Sequence, residues 1–157
     1  MKGFDVREIR KFLEDSDLQN SPAVLSLQGL SGSSVYFPVA GILSESLGKV
    51  HVVIRDNSSE ASYAAGDLSV LTGDENVFLF PASYRGTGKT ARPDESFRVQ
   101  RTTALRALSR FFSDKKDIIL VTYPKALNEG VPEKYAMEKN ALTFHKGLNL
   151  SHEAINE

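Results

Sequence analysis

The chain has 157 residues, which suits a single domain with its own hydrophobic core. Its composition, 41% hydrophobic and 25% charged, is ordinary for a globular domain, and the absence of cysteine excludes disulfides and thiolate chemistry. A formal net charge of -1 gives the whole chain no overall attraction to nucleic acid or anionic membrane. Because no apolar run approaches the ~18 residues of a membrane span, we expect a soluble cytoplasmic protein.

The first third of the chain reads as a helix, a linker and then a strand–helix unit. Residues 4–13 have the apolar spacing of a short amphipathic helix, and the polar residues 15–21 read as a linker. Residues 23–27 form a compact apolar run that predicts a strand. A glycine- and serine-rich stretch follows directly, and it leads into a helical pattern that ends near residue 47.

The strand–helix unit then recurs along the chain. Asn57 and Glu60 have the spacing of a helix N-cap with an acidic third residue, and Gly73 is a helix stop signal. The three further strands are apolar throughout. The predicted elements are strands 50–54, 77–80 and 117–122, and helices 61–71 and 95–112.

Apolar strands that alternate with helices define the expected fold class. Such strands are buried on both sheet faces, so the pattern predicts an α/β domain with a mostly parallel sheet and helices on both faces. The first strand and the loop after it suggest a P-loop NTPase-like core of the RecA or Rossmann type. After residue 124 the pattern weakens, and residues 141–145 read as a further strand.

The loop after the first strand resembles a Walker A phosphate-binding loop that has lost its ligands. The motif reads G-x-x-x-x-G-K-[ST], with the lysine for the phosphates and the hydroxyl for magnesium. Ser34 stands at the second glycine, Val35 at the lysine and Tyr36 at the hydroxyl residue. Two lost charge-assisted contacts, at about 1.5–3 kcal/mol each, would weaken a micromolar site by roughly two to four decades. The degenerate phosphate loop comprises Gly29, Gly32, Ser33, Ser34, Val35 and Tyr36.

A second glycine-rich segment spells only the end of a Walker A motif. Residues 86–90 read Gly-Thr-Gly-Lys-Thr, with Lys89 and Thr90 in the functional positions. However, Ser83 stands at the first glycine, and Pro93 disfavours a helix directly after the loop. We interpret the segment as a surface loop, and an active P-loop ATPase or kinase that uses Lys89 and Thr90 is the alternative.

Basic residues cluster in and after this second loop. Arg85, Lys89 and Arg92 are candidate phosphate or nucleic-acid contacts. The amphipathic pattern of the next helix predicts that its arginines form a solvated basic face, and a DNA-binding module is the alternative. No spacing of histidines or carboxylates predicts a metal site. The arginines of the helix are Arg98, Arg101, Arg106 and Arg110.

Several short motifs occur in a fixed order over residues 24–154. The first is Leu-Gln-Gly-Leu-Ser-Gly-Ser-Ser at 27–34, where Val35 stands in place of the lysine. In order and spacing the set resembles the N-terminal module of bacterial transcription–repair coupling factors (the Mfd family), which is similar to excinuclease B. The other motifs are Val53-Ile54 with Asp56, Asp67-Leu68, Phe80-Pro81, Arg101 with Leu105, Val121-Thr122 with Ala126-Leu127, Val131-Pro132, and Lys146-Gly147 before Leu150.

The resemblance implies a non-catalytic scaffold domain of transcription-coupled nucleotide excision repair. It divides the chain into an N-terminal helix and linker (1–21), a degenerate P-loop-like subdomain (22–140), and the start of the next subdomain (141–157). In the family that next subdomain recruits excinuclease A. The resemblance implies no cofactor and no catalytic residue here. ATP and magnesium, RNA polymerase and DNA are expected to bind other domains of the parent protein, an ATP-dependent DNA translocase.

Overall fold

The structure, a computed structural model, covers most of the predicted α/β subdomain. Arg7 and Lys11, which fall in the predicted N-terminal helix, are helical and exposed. The predicted boundary at residue 141 and everything after it lie outside the described residues. The structure describes Arg7, Lys11, Val24 and residues 26–43, 49–73, 75–85, 92–114 and 116–132.

Within these residues the elements follow the predicted order closely. Strand 50–54 has its predicted bounds, and the other two sheet strands differ from theirs by one residue at one end. In chain order the elements are a 3-10 helix (Gly32–Val35), α1 (Tyr36–Leu43), β1 (Val50–Ile54), α2 (Ser58–Thr72), β2 (Val77–Leu79), β3 (Tyr84–Arg85), β4 (Arg92–Pro93), α3 (Glu95–Asp114), β5 (Ile118–Thr122) and α4 (Pro124–Leu127).

The main sheet of the described chain has three parallel strands in the order β1-β5-β2. All five residues of β5 are buried, as expected for the middle strand of a covered parallel sheet. The crossover from β1 to β2 and the return from β2 to β5 run in opposite directions across the sheet. Helices α2 and α3 both pack against β2 and β5. The α/β prediction with parallel strands is therefore confirmed.

The predicted strand at residues 23–27 is wrong for the part of it that is described. Val24, Ser26 and Leu27 carry no strand pairing, and the Val24 side chain is 88% exposed. Both edges of the central strand β5 are already occupied by β1 and β2. An apolar run of this length does not by itself distinguish a strand from an exposed connection.

The predicted cap and stop of α2 are confirmed. The Asn57 side chain accepts a hydrogen bond of 3.0 Å from the Glu60 backbone N–H. Gly73 ends the helix with a φ of 84°, in the left-handed region that glycine adopts without strain. The buried residues Ala61, Ala64 and Leu68 form the inner face of α2, which packs on β2 and β5. The start of α2 is thereby fixed beside the carboxyl end of β1.

Candidate functional site

The degenerate phosphate loop closes on itself through a serine. The Ser34 hydroxyl accepts a hydrogen bond of 2.9 Å from the Ser31 N–H and donates one of 2.6 Å to the Ser31 carbonyl. Gly29 and Gly32 have φ values of 79° and 54°, so the turn depends on their left-handed conformations. Ser34 thus uses its hydroxyl to hold the turn in the position where a Walker A loop has its second glycine.

The next two residues belong to the hydrophobic core. Tyr36 is buried, and Val35 is half-buried against the same core cluster. The Pro38 side chain is fully buried in the following turn. Burial raises the pKa of the Tyr36 hydroxyl, and the charge of Arg55 partly opposes this shift. Val35 and Tyr36, which the sequence comparison with the motif aligned with the lysine and the hydroxyl residue, are therefore packing residues.

A cation does lie beside the loop, but it already has a partner. The Arg55 guanidinium carbon is 5.8 Å from the centre of the Tyr36 ring, and Nη2 forms an ion pair of 2.9 Å with Glu60. The hydrogen bond to Glu60 raises the pKa of the Arg55 guanidinium. Sequence reasoning missed Arg55, because a single arginine after a strand carries no motif signal.

The second glycine-rich segment connects two short strands rather than a strand and a helix. Tyr84 lies opposite Pro93, and Arg85 lies opposite Arg92, in an antiparallel pair. Residues 86–91 between them, which include Lys89 and Thr90, lie outside the described residues. The structure therefore brings Arg85 and Arg92 together, and the described chain after the segment continues in the strand β4 and not in the helix that follows a Walker A loop.

Arg101 does not lie on a basic outer face as predicted, because its side chain is buried. It is 6% exposed, and its guanidinium donates to four backbone carbonyls. Nη1 donates to Pro81 at 2.9 Å and Ala126 at 3.2 Å, and Nη2 donates to Glu129 at 3.1 Å and Gly130 at 3.2 Å. Desolvation lowers the pKa of Arg101, and the Glu129 carboxylate opposes that shift. The position of Arg101 in a helical pattern could not reveal these carbonyls, which belong to α4 and to the segments after β2 and after α4.

The remaining arginines of α3 stay on the surface. Arg98 is exposed and pairs with Glu95 at 3.1 Å, and Arg106 and Arg110 are exposed. Because Arg101 is buried, the surface of α3 exposes fewer arginines than the sequence pattern predicted. That arrangement lends no support to the DNA-binding alternative.

Further hydrogen bonds tie the segment after β2 to the segment after β5. The Tyr123 hydroxyl accepts from the Ala82 N–H at 2.9 Å, and the Glu129 carboxylate accepts from the Ser83 N–H at 2.7 Å. Lys125 Nζ donates to the Tyr84 carbonyl at 3.3 Å. These bonds, together with Arg101, fix the two segments to each other at the carboxyl edge of the sheet.

A cleft of about 620 Å³ opens beside this junction, beyond the carboxyl ends of β1 and β5. Open α/β sheets bind ligands at this edge, and the volume is in the range of small-ligand sites. The described loop residues 29–36 are not among its lining. The lining comprises the start of α2 (Asp56, Asn57, Ser58, Ser59, Ser62, Tyr63), Tyr84, Phe97, Tyr123 and Lys125.

No protein-family model, curated protein or solved structure matches this chain. The similarity to transcription–repair coupling factors therefore rests on the sequence motifs. Across the described residues, no helix combines the length and apolarity needed to cross a membrane. The same part of the chain contains no group of three or more histidine or acidic side chains placed to hold a metal ion.

Proposed function

We propose that this chain is a non-catalytic scaffold domain of a transcription-coupled nucleotide excision repair factor, one that helps to recruit excinuclease. The observation that carries the proposal is that packing and local hydrogen bonds engage the residues of the degenerate phosphate loop. Val35 and Tyr36 pack in the core where an ATPase has its lysine and magnesium ligand, and Ser34 closes the turn. The order of the sequence motifs supplies the link to repair.

Nucleotide binding is the first test of the non-catalytic part of the proposal. Calorimetry with Mg-ATP should show no saturable binding at micromolar concentrations, since the loop offers neither a phosphate cation nor a magnesium ligand. Lys89→Ala is the matched variant for the ATPase alternative. If the protein binds Mg-ATP tightly and Lys89→Ala abolishes that binding, the active P-loop enzyme would be the better assignment.

Partner recruitment is the second test. In the family the surface for excinuclease A lies in the subdomain that starts near residue 141. We expect residues 1–157 to bind excinuclease A weakly or not at all in surface plasmon resonance. A chain extended through the whole module should bind. Equal affinities would mean that the recruiting surface lies before residue 141.

A further inference from the structure

Exposed aromatic rings from separate elements line the cleft at the carboxyl edge of the sheet. Tyr63 of α2 is 75% exposed and Tyr84 of β3 is 48% exposed, and Phe97 of α3 lines the same cleft. A single exposed ring is common on protein surfaces, but rings gathered in one concavity mark a binding surface. Rigid rings provide contact area at a low cost in conformational entropy.

The charges of the cleft argue against a polyanionic ligand. Among the described residues its lining contains one acidic residue, Asp56, and one basic residue, Lys125, and the formal charges of these two cancel. Single-stranded nucleic acid binds to grooves with a clear excess of positive charge along the backbone path. The lining is instead rich in tyrosine and serine, a composition typical of surfaces that bind peptides and proteins.

The polar groups of the cleft favour a ligand that accepts hydrogen bonds. The first backbone N–H groups of α2, from Ser58 and Ser59, have no acceptor within the helix. The hydroxyls of the exposed Tyr63 and Tyr84 can also donate, whereas the Ser62 hydroxyl already donates to the Ser58 carbonyl at 2.9 Å. The Asn57 side-chain oxygen, an acceptor in the same region, is already bonded to the Glu60 N–H.

We propose that this cleft binds a proline-rich segment of a partner protein in the polyproline II conformation. Such a segment leaves its carbonyls free to accept hydrogen bonds, and its proline residues have no N–H to satisfy. Proline-rich segments dock in aromatic-lined grooves and lose little entropy, because the helix is preformed. The chemistry of this ligand thus complements both the rings and the donors of the cleft.

Hydrogen bonds and strand pairing around the cleft fix the backbone of Tyr84. Its carbonyl accepts from Lys125 Nζ at 3.3 Å, and the preceding residue Ser83 is bonded to Glu129 at 2.7 Å. Tyr84 also pairs with Pro93 across the short antiparallel ladder. Preorganisation of this kind lowers the cost of binding.

The test measures fluorescence anisotropy of a fluorescein-labelled decaproline peptide titrated with the protein. We expect saturable binding below about 1 mM, competed by unlabelled decaproline but not by a Gly-Ser peptide of equal length. Tyr63→Ala and Tyr84→Ala should each weaken binding at least about tenfold. Phe37→Ala is the matched control, because Phe37 is 59% exposed but does not line the cleft, and it should leave binding within about twofold.

Three outcomes would overturn the proposal. They are no saturation at about 1 mM, tighter binding of an oligo-dT 12-mer than of decaproline, and an equal loss in the Phe37 control. Circular dichroism checks that each variant is folded, and Tyr84→Phe provides a second variant that should keep most of the affinity by keeping the ring. This inference does not depend on the repair assignment, because decaproline binding and excinuclease binding are separate measurements that can fail separately.

Discussion

Replacement of Arg101 by methionine tests whether the junction between the two carboxyl-edge segments depends on one buried cation. The change removes four hydrogen bonds to backbone carbonyls, two buried and two part-buried, and of these the Ala126 carbonyl keeps a hydrogen bond from the Glu129 N–H. It also removes the contact between the guanidinium and the Phe80 ring, whose centre is 4.0 Å away. Glu129, whose carboxylate lies 3.9 Å from Nη1, would lose its cation.

The expected loss of stability in Arg101→Met follows from the burial of the Arg101 guanidinium. A hydrogen bond from a charged donor contributes about 1.5–3 kcal/mol, but the desolvation of the guanidinium offsets much of the sum. Removal of one partner from a buried charged cluster typically costs about 3–5 kcal/mol. We therefore expect Arg101→Met to lower the free energy of unfolding by about 3–5 kcal/mol. For a chain of this size that corresponds to a fall in Tm of roughly 2–4 °C per kcal/mol.

Urea denaturation monitored by circular dichroism measures this loss of stability. Arg98→Met is the matched control for Arg101→Met. Arg98 lies one turn earlier on the same helix, is exposed and pairs with the exposed Glu95. Its replacement should change stability by about 0.5 kcal/mol or less. Losses of similar size in the two variants, or a loss below about 1 kcal/mol for Arg101→Met, would refute the role assigned to the buried guanidinium.

Three more predictions concern the loop, a helix cap and a histidine. Val35→Lys should show no ATPase activity in a phosphate-release assay. It should also lose about 1–3 kcal/mol of stability, because an ammonium cannot replace a half-buried core side chain. Measurable hydrolysis would mean that the site is otherwise intact. Asn57→Ala should cost about 0.5–2 kcal/mol in urea denaturation, since it removes the acceptor for the Glu60 N–H, whereas Asn57→Asp should keep most of the stability. Burial lowers the pKa of His51 from its ordinary value of 6.5, and Asp117 opposes this shift. The unfolded chain therefore binds the proton more readily, so stability should fall as pH drops from about 7 through the folded-state pKa. Denaturation at several pH values should show a smaller fall in His51→Gln, and an unchanged pH dependence would contradict this.

Local signals in the sequence were enough to place most helices and strands. Asn57 and Gly73 mark the two ends of α2 because capping depends on the residues at those ends and not on the rest of the fold. Continuous apolar runs identified β1 and β5, but only the central strand β5 is buried throughout, whereas Val50, Val52 and Ile54 of the edge strand β1 are exposed. The same rule failed at residues 23–27, where the described part of the run is unpaired and exposed.

The features that define the cleft could not be predicted, because they depend on contacts between distant segments. The four carbonyls bonded to Arg101 lie 20 to 29 residues along the chain from it. The pairing of Tyr84 with Pro93 likewise depends on how the chain folds back, and two-residue strands leave no periodic pattern. Tyr63, by contrast, has the sequence context of an ordinary exposed helix residue. Only the fold brings it into the same cleft as Tyr84.

The degenerate phosphate loop differs from an empty nucleotide site, and the difference affects whether mutation could produce nucleotide binding. An intact Walker A site needs a flexible glycine, a free ammonium and a free hydroxyl at three consecutive positions. Here the Ser34 hydroxyl is bonded to both polar groups of the Ser31 backbone, and Val35 and Tyr36 contribute to the core. Restoring the three ligand residues would therefore remove a turn contact and two packing contacts together. Because neighbouring changes of this kind do not act independently, no single substitution should recover nucleotide binding. Substitutions at these three positions should therefore lower the stability of the domain as well as change the loop.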